Sequence, residues 1–404
     1  MKNKIKEIAR RIEPELIKIR QELHRYPELG IELPKTHEII SRELHKIPGL
    51  EIYEHMAGGS GLVGILRGKC KKGKTILLRA DIDALPVEEL YDCSYKSEYP
   101  GRMHACGHDG HAAWLIGAAK ILAELKEEWN GCIKFVFQPG EEIGLGAQTL
   151  IEEEHILENP NVDMAFAAHG WPSVISGQIG IARQYAFGCV GSFRVKITGK
   201  KGHASWPEET IDPISAANEI YQHMPSVLTR KISGTEPKVF SVTYMIAGNP
   251  KVRNVIPQSC EFGGTIRATN SKVLKQIGEE LRKETEAVCH VAGAEYELEI
   301  NTNGKSVEND SVLLEGVVKT SSEILGKENV YIIEKDHLGG ENFAEYSSRV
   351  PSVYLFIGIK PKEEEIPGLH SPEYRFDDNV LAGAAATFAL LGYNGCMGIL
   401  KGED

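Results

Sequence analysis

Apolar residues at Ile5, Ile8, Ile12, Leu16, Ile19 and Leu23 recur at helical spacing through an otherwise charged segment. The pattern predicts an amphipathic helix that ends before Pro27. Pro14 lies inside it and either kinks or restarts the helix. Thr36–Leu44 reads as a second helix. Four short apolar runs, Thr75–Leu78, Ile133–Phe137, Met164–Ala168 and Ser352–Ile357, read as buried strands of a mostly parallel sheet. Helical patterns lie near several of them, for example Asp109–Leu125 and Leu381–Leu391. Strands alternating with helices argue for an α/β layered domain.

The middle of the chain has a different rhythm. Phe193, Val195 and Ile197 alternate with Arg194, Lys196 and Thr198, as in a strand with one face exposed. A helical pattern follows at Pro213–Leu228, then strand patterns at Lys238–Ile246 and Glu261–Thr269. A helix at Lys272–Val291 and a strand at Glu295–Ile300 complete the order β-α-β-β-α-β, the ferredoxin-like arrangement. The expected organisation is a discontinuous α/β domain, 1–187 and 303–404, interrupted by an inserted α+β sandwich at 188–302.

Composition narrows the function. The 404 residues carry a formal net charge of −11, which argues against a dedicated nucleic-acid partner, since phosphate contacts need clustered Lys and Arg. The eight cysteines, at 70, 93, 106, 132, 189, 260, 289 and 396, include no C-x-x-C pair, and a chain this long does not need disulfide staples. The N-terminal segment is charged throughout, with no apolar core of an export signal. The longest apolar stretch, Leu381–Tyr393, falls short of the ~20 residues that span a bilayer. A cytoplasmic protein with reduced thiols and no membrane partner is the expectation. Gly68 to Thr75 spells a literal G-x-x-x-x-G-K-T. A phosphate-binding loop leaves a strand and opens a helix, and here the strand-like ILLR comes next instead. A Lys-rich solvated turn is expected.

The chemistry gathers just after predicted strands. Arg79-Ala80-Asp81-Ile82-Asp83 follows the first, Gln138-Pro139-Gly140-Glu141-Glu142 the second, and His169-Gly170 the third; Gly368-Leu369-His370-Ser371 lies beyond the fourth. Ligands of open α/β sheets bind beyond the carboxyl ends of the strands, so these groups can converge at one rim. Cys106 and His108 stand two apart in HACGHDGH. On an extended segment their side chains would point the same way and could reach one metal; a buried Cys beside a hydrogen-bonded His gives the same pattern. The following helix is expected to begin near Asp109, as its N-cap. Glu141 and Glu142 point in different directions, so one carboxylate can bind metal while its neighbour serves as general base; a solvated turn is the other reading. His169 and His370 say little alone. Asp81 and Asp83 either orient ligands or cap a turn.

Together these segments resemble the M20 metallopeptidase family, most closely its amidohydrolase branch of N-acyl-amino-acid amidohydrolases, hippurate hydrolases and auxin-conjugate hydrolases. The resemblance runs nearly end to end through HRYPELG at 24–30, LRADIDALPVEE at 78–89, MHACGHDGHAA at 103–113, FQPGEE at 137–142, GKKGHASWP at 199–207, NVIP at 254–257, GGTIRA at 263–268 and GLHSPEY at 368–374. It implies a metallopeptidase-type catalytic domain with a mostly parallel mixed sheet flanked by helices. The insert becomes a ferredoxin-like lid that carries the interface of a homodimer or homotetramer.

The resemblance further implies a site for two divalent metal ions held by Cys106, His108, Glu142, His169 and His370, with Asp81 behind them. Glu141 would be the general base, acting on a water that bridges the metals and passing its proton to the leaving nitrogen. His203 would help hold the reacting carbonyl oxygen, and Asn254 and Arg267 the substrate carboxylate, which a guanidinium fork grips well. Thiolate and imidazole ligands suit Zn, while the mixed set also takes Mn, Co or Ni. The expected activity is hydrolysis of the amide bond of N-acyl amino acids. Cleavage of short peptides by a carboxypeptidase or dipeptidase is the alternative, followed by N-acetyl-diaminopimelate deacetylation and a non-catalytic metal-binding role. Two positions mark the branch or depart from the pattern. Arg79 stands where many other branches have His, and Asn342 stands where the usual G-x-E-D-F has Asp.

Overall fold

The N-terminal pattern forms one helix, α1 (Lys2–Arg25), which continues through Pro14. The computed structural model describes residues 1–70, 72–334 and 337–400. The apolar stripe of α1 is buried at Ile5, Ile8, Leu16, Ile19 and Leu23, and its last turns also bury two polar side chains, Arg20 and His24. Helix α2 (Pro34–Leu44) starts with Pro at its first turn and lacks a cap from its own N-cap residue. Glu28 substitutes: its carboxylate accepts from Lys35 N at 3.0 Å and Thr36 N at 2.8 Å, which satisfies donors that a helix start leaves open.

Two compact units divide the chain. One comprises Met1–Ala186, Val307–Lys335 and Glu341–Asp404; the other comprises Phe187–Ser306 and Asp336–Gly340.

The first unit is built on an eight-stranded mixed sheet, mostly parallel. Its strands are β1 (Leu50–Met56), β2 (Gly61–Arg67), β3 (Thr75–Asp81), β4 (Cys132–Gln138), β5 (Met164–Ile175), β6 (Ile179–Ala182), Val330–Ile333 and Ser352–Lys360. The spatial order is β1, β2, β4, β3, β5, Ser352–Lys360, β6, Val330–Ile333. At its centre β4, β3, β5 and Ser352–Lys360 run parallel to one another. Every residue of β3 and β4 is buried, as expected for strands covered on both faces. Helix α3 (His108–Glu124) is buried almost all round, and helix Leu381–Cys396 likewise. They share one apolar core with α1 and the sheet. Among the described residues no helix is long and apolar enough to cross a membrane. All eight cysteines are free thiols. In the Gly68–Thr75 motif Lys71 lies outside the described residues, and the chain continues from the motif into strand β3 rather than a helix.

The second unit is an antiparallel four-stranded sheet in the order Lys238–Ala247, Ser259–Ala268, Cys189–Thr198, Glu295–Asn301. Helices Pro213–Lys231 and Ser271–Ala292 bury their apolar residues in a core with the sheet. Order and pairing are those of a ferredoxin-like sandwich.

Candidate metal centre

Parallel strands end together, and the polar residues of the first unit gather where they end. Strand β3 closes on Asp81, and Asp83 follows two residues later. Strand β4 closes on Gln138, and Pro139-Gly140 turns the chain into Glu141-Glu142. Gly140 holds φ +69°, and a Cβ there would sit 2.8 Å from Ile31 Cγ2. Asp83 fixes the turn from the other side, because its two carboxylate oxygens accept from Glu141 N and Glu142 N, each at 3.1 Å.

Cys106 and His108 meet by a route different from the one their spacing suggests. The segment is not extended: Gly107 adopts a left-handed φ of +86° and is itself the N-cap of α3, whose first residue is His108. A Cβ at Gly107 would fall 2.5 Å from Tyr374 Oη. Asp109 is therefore not the N-cap. It is buried in the first turn, with Oδ2 2.9 Å from Arg20 Nε and 2.7 Å from His24 Nδ1. A partner 85 residues away in sequence outcompetes the local capping role that composition suggested.

His169 lies within β5, which runs on to Ile175 rather than stopping at Ala168. Pairing of β5 with β3 ends at Arg79–Ala167, so His169 lies beyond the paired stretch on that side while it still pairs with Phe356 on the other. His370 comes from a loop, at φ +64°, and its backbone N–H donates to Ala105 O at 2.8 Å. That bond ties the loop to the residue before Cys106.

Two ligand sets result, and they share one atom. Cys106, His108 and His169 offer ligand atoms within 4.8 Å of one another, and so do Cys106, Glu142 and His370. The Cys106 Sγ lies 3.2 Å from His169 Nε2 and 3.4 Å from His370 Nε2. His108 joins a third set with Glu141 and Glu142. Among the described residues both ring nitrogens of His108 and Glu142 Oε1 are buried without a well-formed hydrogen bond, although His108 Nδ1 lies 3.4 Å from Asp83 Oδ1. Buried polar groups are normally paired, so the donor set fits cations rather than a self-satisfied core.

The electrostatics mark a cluster of strongly interacting groups: burial opposes protonation of His108, but Asp81 and Cys106 hold its imidazole well above the usual range. Burial pushes the Cys106 thiol well above its usual range, with His108 opposing. Burial also raises Glu141 well above the usual carboxylate range, with the neighbouring Glu341 adding to it, and raises Glu142. Burial, then the neighbouring His111, hold His169 well below the usual imidazole range. A neutral imidazole binds metal, and a thiol can become a thiolate in such a place only beside positive charge.

A fully buried frame supports these donor groups. Burial opposes ionisation of Asp81, but His108, Arg79 and His111 hold its carboxyl far below the usual range. Its Oδ1 lies 2.5 Å from His111 Nδ1, and its Oδ2 accepts from Arg79 Nη1 at 2.7 Å. His111 Nε2 in turn accepts from Gly170 N at 2.8 Å, beside His169. The Arg79 guanidinium also reaches Glu341 at 3.1 Å and Asn342 Oδ1 at 2.7 Å. So Arg79 is a buried counter-charge. Asn342 Oδ1 also accepts from Gln138 Nε2 at 2.9 Å, and its backbone N–H donates to Glu141 Oε1 at 3.3 Å. The sequence marks Arg79 only as a branch position and leaves His111, Glu341 and the double hold of Asp83 unread, although HACGHDGH and LRADIDA contain His111 and Asp83.

The remaining sequence-derived residues lie in the second unit. His203 is exposed, with its ring 4.9 Å from Trp206, and its Nδ1 accepts from Ser205 N at 3.1 Å. Val255 pairs with His203 and Ala204 N donates to Asn254 O, which brings Asn254 beside it. Arg267 stands apart on strand Ser259–Ala268, where Nη1 donates to Leu338 O at 3.0 Å.

Comparison with known proteins adds likenesses in sequence and in structure. The profile of Peptidase family M20/M25/M40 matches residues 77–393. The chain is 34% identical over 376 residues to N-acetylcysteine deacetylase of Bacillus subtilis, covering 93% of this chain and 95% of that one. It is also 34% identical over 392 residues to thermostable carboxypeptidase 1 of Saccharolobus solfataricus, covering 96% and 97%. In structure it is similar to the Bacillus subtilis YXEP protein, described as a dinuclear metal binding peptidase from M20 family, with a TM-score of 0.82, 30% identity and coverage of 96% and 99%.

Proposed function

Because the chain belongs to peptidase family M20/M25/M40, we propose that its Cys106 cluster hydrolyses the amide bond of N-acyl amino acids. Metal-dependent hydrolysis of amide or peptide bonds is common ground with its relatives; the substrate and the site residues are our reading. The observation that carries it is the sharing of Cys106 between two ligand sets, with Glu141 beside them. Cys106, His108 and His169 would hold one divalent cation, and Cys106, Glu142 and His370 the other. Zn suits the thiolate and imidazoles best, and Mn, Co or Ni the carboxylate side. Such ions polarise a carbonyl oxygen and make water acidic enough to lose a proton near neutral pH.

Glu141 takes that proton and delivers it to the leaving nitrogen. Its raised pKa, caused by burial and Glu341, suits a group that must hold a proton for part of the cycle. Asn342 N–H keeps Oε1 aimed. His203 supplies a donor to the developing oxyanion: with Nδ1 accepting from Ser205 N–H, the neutral ring carries its proton on Nε2. Asn254 and Arg267 receive the substrate carboxylate. Assembly as a homodimer or homotetramer uses the inserted unit, whose edge strand Lys238–Ala247 exposes Tyr244, Met245 and Ile246. A cytoplasmic location completes this reading.

Glu141→Gln keeps size and hydrogen bonding but cannot carry the proton. It should abolish turnover while metal content stays normal; near-normal turnover would remove Glu141 from this role. Cleavage of short peptides is the second reading, favoured by the likeness to the carboxypeptidase. Released amine from N-acetyl-amino-acids, set against dipeptides and blocked peptides, separates the two.

A further inference from the structure

Away from the Cys106 cluster, the first unit brings His37, Glu54 and His55 together, one ligand atom from each within 4.8 Å of the others. His37 stands on α2, and Glu54 and His55 are neighbours on β1. Neighbours on a regular strand point to opposite faces. Here the β1–β2 register slips between Tyr53 and Met56, and His55 adopts a left-handed φ of +59°, a conformation that L-residues seldom take. The irregularity puts Glu54 and His55 on the same point. The rings of His37 and His55 stack at 4.5 Å with 14° between their planes.

Hydrogen bonding orients the donors. His37 Nδ1 lies 3.2 Å from Ser60 O. A carbonyl can only accept, so Nδ1 carries a proton and Nε2 of the neutral ring presents a lone pair. That nitrogen faces Glu54 Oε2 at 3.6 Å. The other oxygen of Glu54 accepts from Ser41 Oγ at 2.5 Å, and that bond, with His37 and His45 beside it, holds the carboxyl below its usual range. In that tautomer two acceptors face each other, and a cation, metal ion or proton, satisfies both. His45 Nδ1 also approaches Glu54, at 3.7 Å, but it is engaged with Ser41 O at 2.9 Å and stays outside the set.

We propose that His37, Glu54 and His55 form a second, surface site for one divalent transition-metal ion. Two imidazoles and a carboxylate suit borderline ions such as Zn or Cu(II), and the bond from His37 to Ser60 O is the outer support such ligands usually have.

The test uses metal-loaded enzyme freed of excess ion and then titrated with Zn²⁺ by equilibrium dialysis. Wild type should take up one more equivalent than His55→Asn. Asn tolerates the left-handed backbone but offers no imidazole, so the variant should fold. His37→Gln should lose the same equivalent, and hydrolysis should be unchanged in both. The difference reads the same whatever the Cys106 centre holds. Cu²⁺ added to Zn-loaded wild type should give an electron paramagnetic signal coupled to two imidazole nitrogens, and to one in His55→Asn. Equal uptake by wild type and His55→Asn overturns the site and leaves a proton as the bridging cation.

Discussion

Asp83 accepts the backbone N–H groups of both Glu141 and Glu142, each at 3.1 Å. One buried carboxylate thus sets the direction of two adjacent side chains that need different targets. Asp83→Asn turns one acceptor into a donor facing an N–H group. Loss of outer support around metal ligands typically costs about 10–100-fold. Turnover should fall by that order, with metal loss weaker than the activity loss because His108 and Cys106 remain. Parallel kinetics and metal analysis check this; unchanged turnover would show that the turn holds itself.

Arg79 is buried between Asp81, Glu341 and Asn342. Removing one partner of such a pair leaves a buried charge alone, at a cost of about 3–5 kcal/mol. Arg79→Met should therefore destabilise the metal-free protein by that order in urea unfolding. Adding Glu341→Gln to Arg79→Met should recover part of the loss. Costs that simply add would mean the two side chains do not interact.

Much of this was legible in sequence, and the failures have physical causes. Strands β3 and β4 announce themselves because both faces are buried. Strand β1 does not, because its mostly exposed residues carry little apolar pattern. β6 and Val330–Ile333 have four residues each, too few to show a period. In the site, residue types and chain order pointed to the residues that cluster, but not the way they meet. Cys106 and His108 converge through the left-handed turn at Gly107 rather than by strand alternation. Asp109 looked like a cap because capping is local, and its real partners, Arg20 and His24, come from another helix. Contacts such as Asp81–His111 and Asp83–Glu141 join distant segments, so no spacing rule reveals them.

His24 and Asp109 make a pH prediction. Burial and Arg20 both push the His24 pKa down, but Asp109 and Glu89 outweigh them and raise it. A raised folded pKa gives stability that is complete below the unfolded value of ~6.5 and is lost as pH rises through the folded value. Asp109 behaves oppositely: burial opposes its ionisation, Arg20 and His24 hold its pKa far below the usual range, and its contribution fades only as pH falls below ~3.9. His24→Gln should thus cost most stability between about pH 5 and 6.5, and progressively less as pH rises beyond. Urea unfolding across that range reads it out. A constant gap between wild type and variant would show that His24 is not charged in the folded protein.

Cys106 offers the sharpest test of the shared ligand. The other ligands each belong to one of the two sets that meet at Cys106; Cys106 alone belongs to both. Cys106→Ser keeps the size and removes the soft donor. A change in outer support costs about 10–100-fold in metal affinity, so losing a ligand common to both ions should cost more, and should release both together on dialysis against a weak chelator. His370→Ala, by contrast, should release one. Metal preference should also shift, because a site of imidazole and carboxylate without thiolate loses its bias toward soft ions. Cys106→Ser should then be reactivated by Mn relative to Zn more than wild type is. Metal counts of two in wild type, near zero in Cys106→Ser and near one in His370→Ala are the expected pattern. Equal counts in the two variants would mean that the sulfur binds one ion only, and that the two sets do not share it.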